Sequence, residues 1–300
     1  MSSTKTILVT GATGKQGGAL INHLLASPQA SSFRIVAVTR DSSSPGATRL
    51  ASRPGVSVIS GDFSDVAAMF ANAGGSVWGV FSVQVNADDE EQQGKAMVDA
   101  AVLNGAQHFV YASSDRGGPA KSNIDPTNVK NFAAKYNVEK YLVAQATLSP
   151  QKMAYTILRP VTFLENISAD IHGKGFTRMW EQLGTKKLQV VSTTDIGWFG
   201  AQSFLFPEQH HNAVRTLAGD ELTQPEANAI FRDVVGLDMP IAPCVVAKGV
   251  KFVLKDTVGD MFRWFAENGY GASIKECRAA HPEMMDFRAW AAENRGKWVK

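Results

Sequence analysis

The segment Gly11-Ala12-Thr13-Gly14-Lys15-Gln16-Gly17 follows the apolar run Ile7-Leu8-Val9 and leads into a helix-length stretch. Glycine at every third position lets the chain turn tightly and lets backbone amides approach a pyrophosphate. The free N–H groups and partial positive charge of the following helix then face the phosphate oxygens. Three glycines alone also suit an ordinary turn; the strand–loop–helix context selects dinucleotide binding, with Thr13, Lys15 and Gln16 beside the phosphates. The second apolar run closes on Val38-Thr39-Arg40. An acidic residue there would accept from the ribose 2′-OH of NAD(H), whereas Arg40 suits the 2′-phosphate of NADP(H). Asp41 keeps NAD(H) open, and a solvated loop charge is the plain alternative for Arg40. The third run closes on Gly61-Asp62-Phe63, which places Asp62 to meet an adenine amino group and Phe63 to cover its face. A turn in which Asp62 caps a helix is the alternative.

Positioning these residues requires alternating elements. Ile7–Val9, Ile35–Val38, Val56–Ile59, Val77–Phe81 and Phe109–Tyr111 are short β-branched or aromatic runs bounded by Gly, Ser or Asp, and read as buried strands. Between them, Gly17–Ala26, Asp65–Ala73 and Glu90–Asn104 have helical length, while Ser42–Gly46 reads as a loop. Strand–helix alternation predicts right-handed βαβ units and a parallel sheet covered on both faces. A long helix over Pro126–Leu148 and a strand Tyr155–Leu158, stopped by Arg159-Pro160, follow. Later segments are looser: a strand over Thr185–Ser192, helices over Ile196–Phe206 and Glu226–Val235, and aromatic-rich helices over Val258–Asn294. The expected division is a dinucleotide-binding domain over residues 1–160, its sheet completed in part by later residues, and a smaller lobe over 161–300.

Composition narrows the partners. The 300 residues are 44% hydrophobic and 19% charged with a formal charge of +2, too balanced for general attraction to nucleic acid or a membrane surface. Cys244 and Cys277 show no metal-ligand spacing, so neither a disulfide framework nor a metal site is expected. His210-His211 reads as a solvated loop pair. The Met1–Lys5 start runs into a strand without an apolar leader, and no stretch reaches the ~18–20 apolar residues of a spanning helix. The cytoplasm is the expected compartment, with the nucleus open.

Further segments carry a resemblance. The glycine loop with Gln16, Glu91-Gln92-Gln93-Gly94-Lys95, His108-Phe109-Val110-Tyr111-Ala112-Ser113-Ser114, Lys135-Tyr136-Asn137-Val138-Glu139, Tyr155 to Pro160, Phe163-Leu164-Glu165-Asn166 and Pro282-Glu283 to Trp290 together resemble the NmrA-like family. This family sits among the atypical short-chain dehydrogenases/reductases. The resemblance implies an α/β, Rossmann-type doubly wound parallel sheet with a smaller mixed α/β C-terminal lobe. It also implies NAD(P) along the carboxyl ends of the strands, near Phe81, Gln84 and Val85, and a substrate or partner cleft beneath the lobe. Asp195 matches the family's strand-to-helix junction as an N-cap. Two trades follow: a dinucleotide or redox sensor acting through a protein partner such as a transcription regulator, or an NADPH-dependent reductase of quinones and small carbonyls. The expectation favours the sensor.

The reason is the proton donor. Reduction in the larger superfamily uses a Tyr donor, a Lys that binds the ribose and lowers the Tyr pKa, and a Ser that orients the substrate. Ser113 and Ser114 stand where the Ser belongs, with helix capping as their alternative. Tyr136 and Lys140 satisfy the tyrosine–lysine spacing literally, but Lys135 with Glu139 fits the family register. At ~100° per residue, Lys135 and Lys140 point about 140° apart, so both cannot face one ligand. The Lys135 register puts Asn131 where the Tyr would stand and turns Tyr136 toward a helix interface. Lys135 then holds the ribose or acts as acid–base itself; an exposed lysine paired with Glu139 is the alternative.

Overall fold

The computed structural model describes residues 4–243 and 259–299, so Cys244 and Val258 lie outside the described residues. The chain runs β1 (Lys5–Val9), α1 (Lys15–Ala26), β2 (Phe33–Thr39), α2 (Pro45–Ala51), β3 (Val56–Ser60), α3 (Val66–Ala71), β4 (Gly79–Ser82) and α4 (Glu90–Leu103). It continues through β5 (His108–Ala112), α5 (Gly118–Ser122), α6 (Lys130–Leu148), β6 (Ala154–Pro160), β7 (Thr162–Phe163), α7 (Ile171–Glu181) and β8 (Leu188–Val191). Next come α8 (Thr193–Leu205), α9 (Pro207–His210), β9 (Ala213–Leu217), β10 (Asp220–Leu222) and α10 (Gln224–Val235). Helices at Asp260–Glu267, Ile274–Ala280 and Phe287–Glu293 follow.

The strands form a seven-stranded sheet in the order β3-β2-β1-β4-β5-β6-β9 and a three-stranded sheet in the order β10-β8-β7. The pairings from β3 through β6 are parallel, as apolar strands buried on both faces require. In the small sheet β7 pairs β8 in parallel and β10 pairs β8 antiparallel, so it is mixed. The expected Rossmann-type sheet and mixed α/β lobe are both present.

Two compact units divide the described chain. The first takes the chain up to Ser113 with Ala134–Arg159 and Ile196–Arg215; the second takes Ser114–Ala133, Pro160–Asp195 and Thr216 onward. One crossing falls at Arg159–Pro160, and the others interleave the units along the sequence. In the first unit, Leu8, Val36, Val80, Phe109 and Ile157 from the sheet bury against Met97 and Val98 of α4 and Val138 and Leu142 of α6. On α8, a Cβ added at Gly197 would stand 2.5 Å from the Ala19 Cβ of α1, so only glycine permits that approach. The core of the second unit is aromatic: Trp180, Phe231, Phe262, Phe265, Phe287 and Trp290 bury together.

Several local expectations are corrected. The long helix begins at Lys130, not Pro126, because Thr127 adopts φ +65° and its amide donates to Asp125 Oδ1 at 2.7 Å, a turn incompatible with helix. Arg159-Pro160 does not stop β6, whose span includes both residues; the Pro160 carbonyl accepts from the Asp115 amide at 3.0 Å. The serine loop ends early, since Ser44 caps α2 by accepting from the Ala47 amide at 3.3 Å and Pro45 opens the helix. Asp195 is not an N-cap. It lies inside α8, accepts from the Met285 amide at 3.1 Å and pairs with His281 Nε2 at 3.2 Å. The strand expected over Thr185–Ser192 is shorter, Leu188–Val191.

Candidate functional site

Parallel pairing in the order β3-β2-β1-β4-β5-β6 lines up the carboxyl ends of these strands on one edge of the sheet. The order reverses between β1 and β4, the point at which open α/β sheets leave a crevice for ligands. Gly11, Arg40, Asp62 and Gln84 all follow strand ends at this edge.

The glycine loop is built by close approach. Gly11 has φ +58°, and a Cβ there would meet Val83 at 2.7 Å. A Cβ on Gly17 would fall 2.8 Å from the Gly11 carbonyl carbon, and the Gly14 amide donates to the Gly11 carbonyl at 2.9 Å. Thr10 fastens the loop to the end of β4: its hydroxyl donates to the Val83 carbonyl at 3.1 Å and accepts from the Val83 amide at 2.9 Å. Helix α1 starts from Gly14 with no side-chain cap and no acidic residue in its first turn. Lys15 is the first residue of that positive end of the helix. Thr13, Gly14 and Lys15 are exposed. Gln16 is half-buried, and its Oε1 is enclosed with no hydrogen-bond partner.

At the adenosine end Arg40 is exposed, while Asp41 Oδ1 accepts from the Ser43 amide at 2.8 Å and the Ser43 hydroxyl at 2.6 Å. These bonds hold the Asp41 carboxyl below its ordinary range and tie it into the local turn. Sequence reading missed α2, which places the Arg49 guanidinium and the Thr13 side chain within 4.0 Å and 3.5 Å of the same point above Gly46. Asp62 Oδ1 accepts from the Ser64 amide at 2.9 Å, the capping alternative, and its carboxyl is lowered first by that bond and least by Arg40. Phe63 is half-buried against the sheet core.

Around the far end of the edge the expectations separate. The Phe81 side chain is fully buried beside Gly200 in the core. Gln84 is buried; its Nε2 donates to Ser82 Oγ at 2.7 Å and its Oε1 is enclosed without a partner. Val85 is exposed. Ser113 is buried and its hydroxyl donates to Glu139 Oε1. Glu139 also accepts from Arg159, through Nε at 3.0 Å and Nη2 at 2.6 Å. In the second unit, Ser114 is 7% exposed, with its hydroxyl oxygen enclosed and lacking a hydrogen-bond partner.

Lys135 does not pair with Glu139 as an exposed helix lysine would. Its Nζ lies 2.6 Å from Glu90 Oε1, with the lysine side chain 12% exposed and the glutamate fully enclosed. Burial pushes the Glu90 carboxyl up, and Lys135 partly offsets that rise. Gly94 explains the approach: a Cβ there would clash with Val138 at 2.6 Å, so glycine lets α4 and α6 close on each other. Tyr136 is half-buried with the Lys140 ammonium 5.2 Å from its ring centre, a pair separate from Lys135.

His210 closes α9 and is half-buried, its carbonyl accepting from the Thr156 hydroxyl at 2.9 Å, while His211 is exposed, as expected of a solvated residue, with its ring edge-on to buried His108 at 6.0 Å. Among the described residues no cluster of three or more His, Cys, Asp or Glu is placed to hold a metal ion. Among them, too, no helix is long and apolar enough to cross a membrane.

The chain has relatives among known proteins. An NmrA-like family domain-containing oxidoreductase of Aspergillus hancockii is 32% identical over 176 residues, covering 55% of this chain and 48% of the relative. The chain spans about half the length of the curated relatives that it matches this way. An NADPH-dependent quinone oxidoreductase of Escherichia coli, solved with NADPH, superposes with TM-score 0.73 at 21% identity over 96% of this chain and 99% of that one. NmrA, a negative transcriptional regulator solved with NAD, superposes with TM-score 0.72 at 18% identity over 99% of this chain and 97% of its own. The sequence matches the NmrA-like family over residues 3–291. With the family's sheet and nearly its whole length matched, the chain belongs to the NmrA-like family.

Proposed function

We propose that this protein binds NADP(H) at the carboxyl edge of its sheet and reduces a quinone or other small carbonyl compound. The observation that carries the reading is Lys135, an ammonium almost enclosed in protein and fixed by a buried carboxylate in the unit that holds the glycine cradle. The residues fit the cofactor: the Gly11–Gly17 cradle has no room for side chains at Gly11 and Gly17, and Gln16 and Gln84 each offer an enclosed, unpartnered oxygen. Arg40 and Arg49 offer cations to a 2′-phosphate, and the local commitment of Asp41 disfavours its use by a ribose 2′-OH. A reduced nicotinamide bound there supplies a hydride to the carbonyl carbon.

Lys135 holds a proton at Nζ and releases it to the carbonyl oxygen as that oxygen gains charge, which accounts for reduction with Asn131 in the tyrosine position. Glu139, Arg159 and Ser113 serve this step indirectly by fixing α6 against β5 and β6. The relatives named oxidoreductases and the reductases among the fold neighbours support the same reading.

The test follows NADPH absorbance with a panel of quinones and carbonyls. Turnover is expected and should fall at least tenfold in Lys135→Ala, about 1.4 kcal/mol of transition-state stabilisation. NADPH that binds tightly but is never oxidised would overturn the reductase. Asn131 favours a second reading in that event: a dinucleotide-responsive regulator whose affinity for a protein partner depends on the bound cofactor, a role compatible with the NmrA-like fold.

A further inference from the structure

Glu90 has no part in the sequence-based reading, and its surroundings differ from those of the other glutamates near α4 and α6. Glu91, the next residue, is half-exposed and shared by Lys95 at 2.5 Å and Asn137 at 2.7 Å. Glu139 is buried but receives Ser113 and both arms of Arg159. Glu90 is fully enclosed, lies 2.6 Å from Lys135, and neither of its oxygens has a further hydrogen-bond partner. Enclosing a carboxylate with one counter-ion is costly, and an apolar pair of the same volume would serve stability as well or better. The first turn of α4 favours an acid there, but an exposed one would satisfy that preference.

We infer that Glu90 is the positioning residue for Lys135: its carboxylate holds the lysine ammonium at the carboxyl edge of the sheet and keeps it protonated. The inference rests on the reading in which Lys135 serves the cofactor site. Geometry gives it a direct route, because Gly94 stands one turn beyond Glu90 on α4 and Val138 one turn beyond Lys135 on α6. Their close packing brings the two charges together. The neighbouring charges are otherwise engaged, with Glu91 on Lys95 and Glu139 on Arg159, while Asp89 is exposed. Enclosure raises the Glu90 carboxyl and the Lys135 ammonium opposes that rise.

The test labels cofactor-free protein with trinitrobenzenesulfonate, which attacks only neutral amines, from pH 7 to 10. Modification of Lys135 is then read by peptide mass spectrometry. Glu90→Gln should speed Lys135 labelling about tenfold at pH 8 and move its midpoint about one pH unit lower, a tenfold change per unit. Glu90→Asp, which keeps the charge on a shorter arm, should fall between the two. Equal rates and equal midpoints in wild type and Glu90→Asp would overturn the inference even if Glu90→Gln fails to fold, as would equality of all three proteins. A parallel NADPH titration by tryptophan fluorescence separates the two claims: absent binding overturns the cofactor reading, whereas the labelling result judges Glu90 alone.

Discussion

At the scale of residues, the cofactor end of the site was legible because backbone geometry leaves a compositional trace. Glycines at 11 and 17 stand where side chains cannot, and Arg40 directly follows the end of β2. Arg40→Asp should weaken NADPH at least tenfold and NADH much less, measured by titrating both; equal losses would remove Arg40 as the selector. Lys135 was singled out through its register with Glu139. Its partner was not, because Glu90 comes from another helix and only packing at Gly94 and Val138 brings it within 2.6 Å. Packing also decided what position alone does not report: the Phe81 ring faces the core and the Ser113 hydroxyl donates to Glu139.

At the scale of elements, boundaries followed hydrogen bonds that periodicity does not report. Helix α6 waits for Lys130 because Thr127 turns the chain, and α2 exists because Ser44 and Pro45 open it. The Thr223-Gln224-Pro225-Glu226 signal was present in the sequence and forms a full capping box: the Glu226 amide donates to Thr223 Oγ1 at 3.3 Å and the Thr223 amide to Glu226 Oε2 at 2.8 Å. Thr223→Ala should therefore cost about 0.5–2 kcal/mol in urea unfolding. No change in midpoint would show that the tertiary contacts of α10 alone hold its start. In the same unit, Glu165 anchors the start of α8 by accepting from the Thr193 amide at 3.0 Å, and it accepts from Trp290 Nε1 at 3.3 Å. These bonds give a physical role to the Phe163-Leu164-Glu165-Asn166 motif.

At the scale of the molecule, one buried histidine links stability to pH. The Thr156 hydroxyl donates to the His210 carbonyl, so its oxygen accepts from His108 Nε2–H at 2.8 Å and leaves Nδ1 unprotonated and enclosed. Burial, followed by His211, His210 and Lys5, lowers the His108 pKa to about 3. The unfolded chain takes up a proton near pH 6.5 that the folded chain refuses. Stability should thus fall by up to ~1.4 kcal/mol per pH unit as pH drops below about 6.5. Comparing denaturant stability at pH 7 and 4.5 should show a shallower loss in His108→Asn; an identical slope would exclude His108 as its source.

The sequence by itself determined the parallel sheet, the glycine cradle and the family, because each depends on local periodicity or on residues adjacent in the chain. Only the tertiary structure decided which charges meet. It also decided that 196–215 belongs with the first compact unit while 114–133 belongs with the second. Pairings such as Lys135 with Glu90 and Asp195 with His281 join distant segments. They are set by how closely helices and loops pack, and one-dimensional spacing carries no record of that distance.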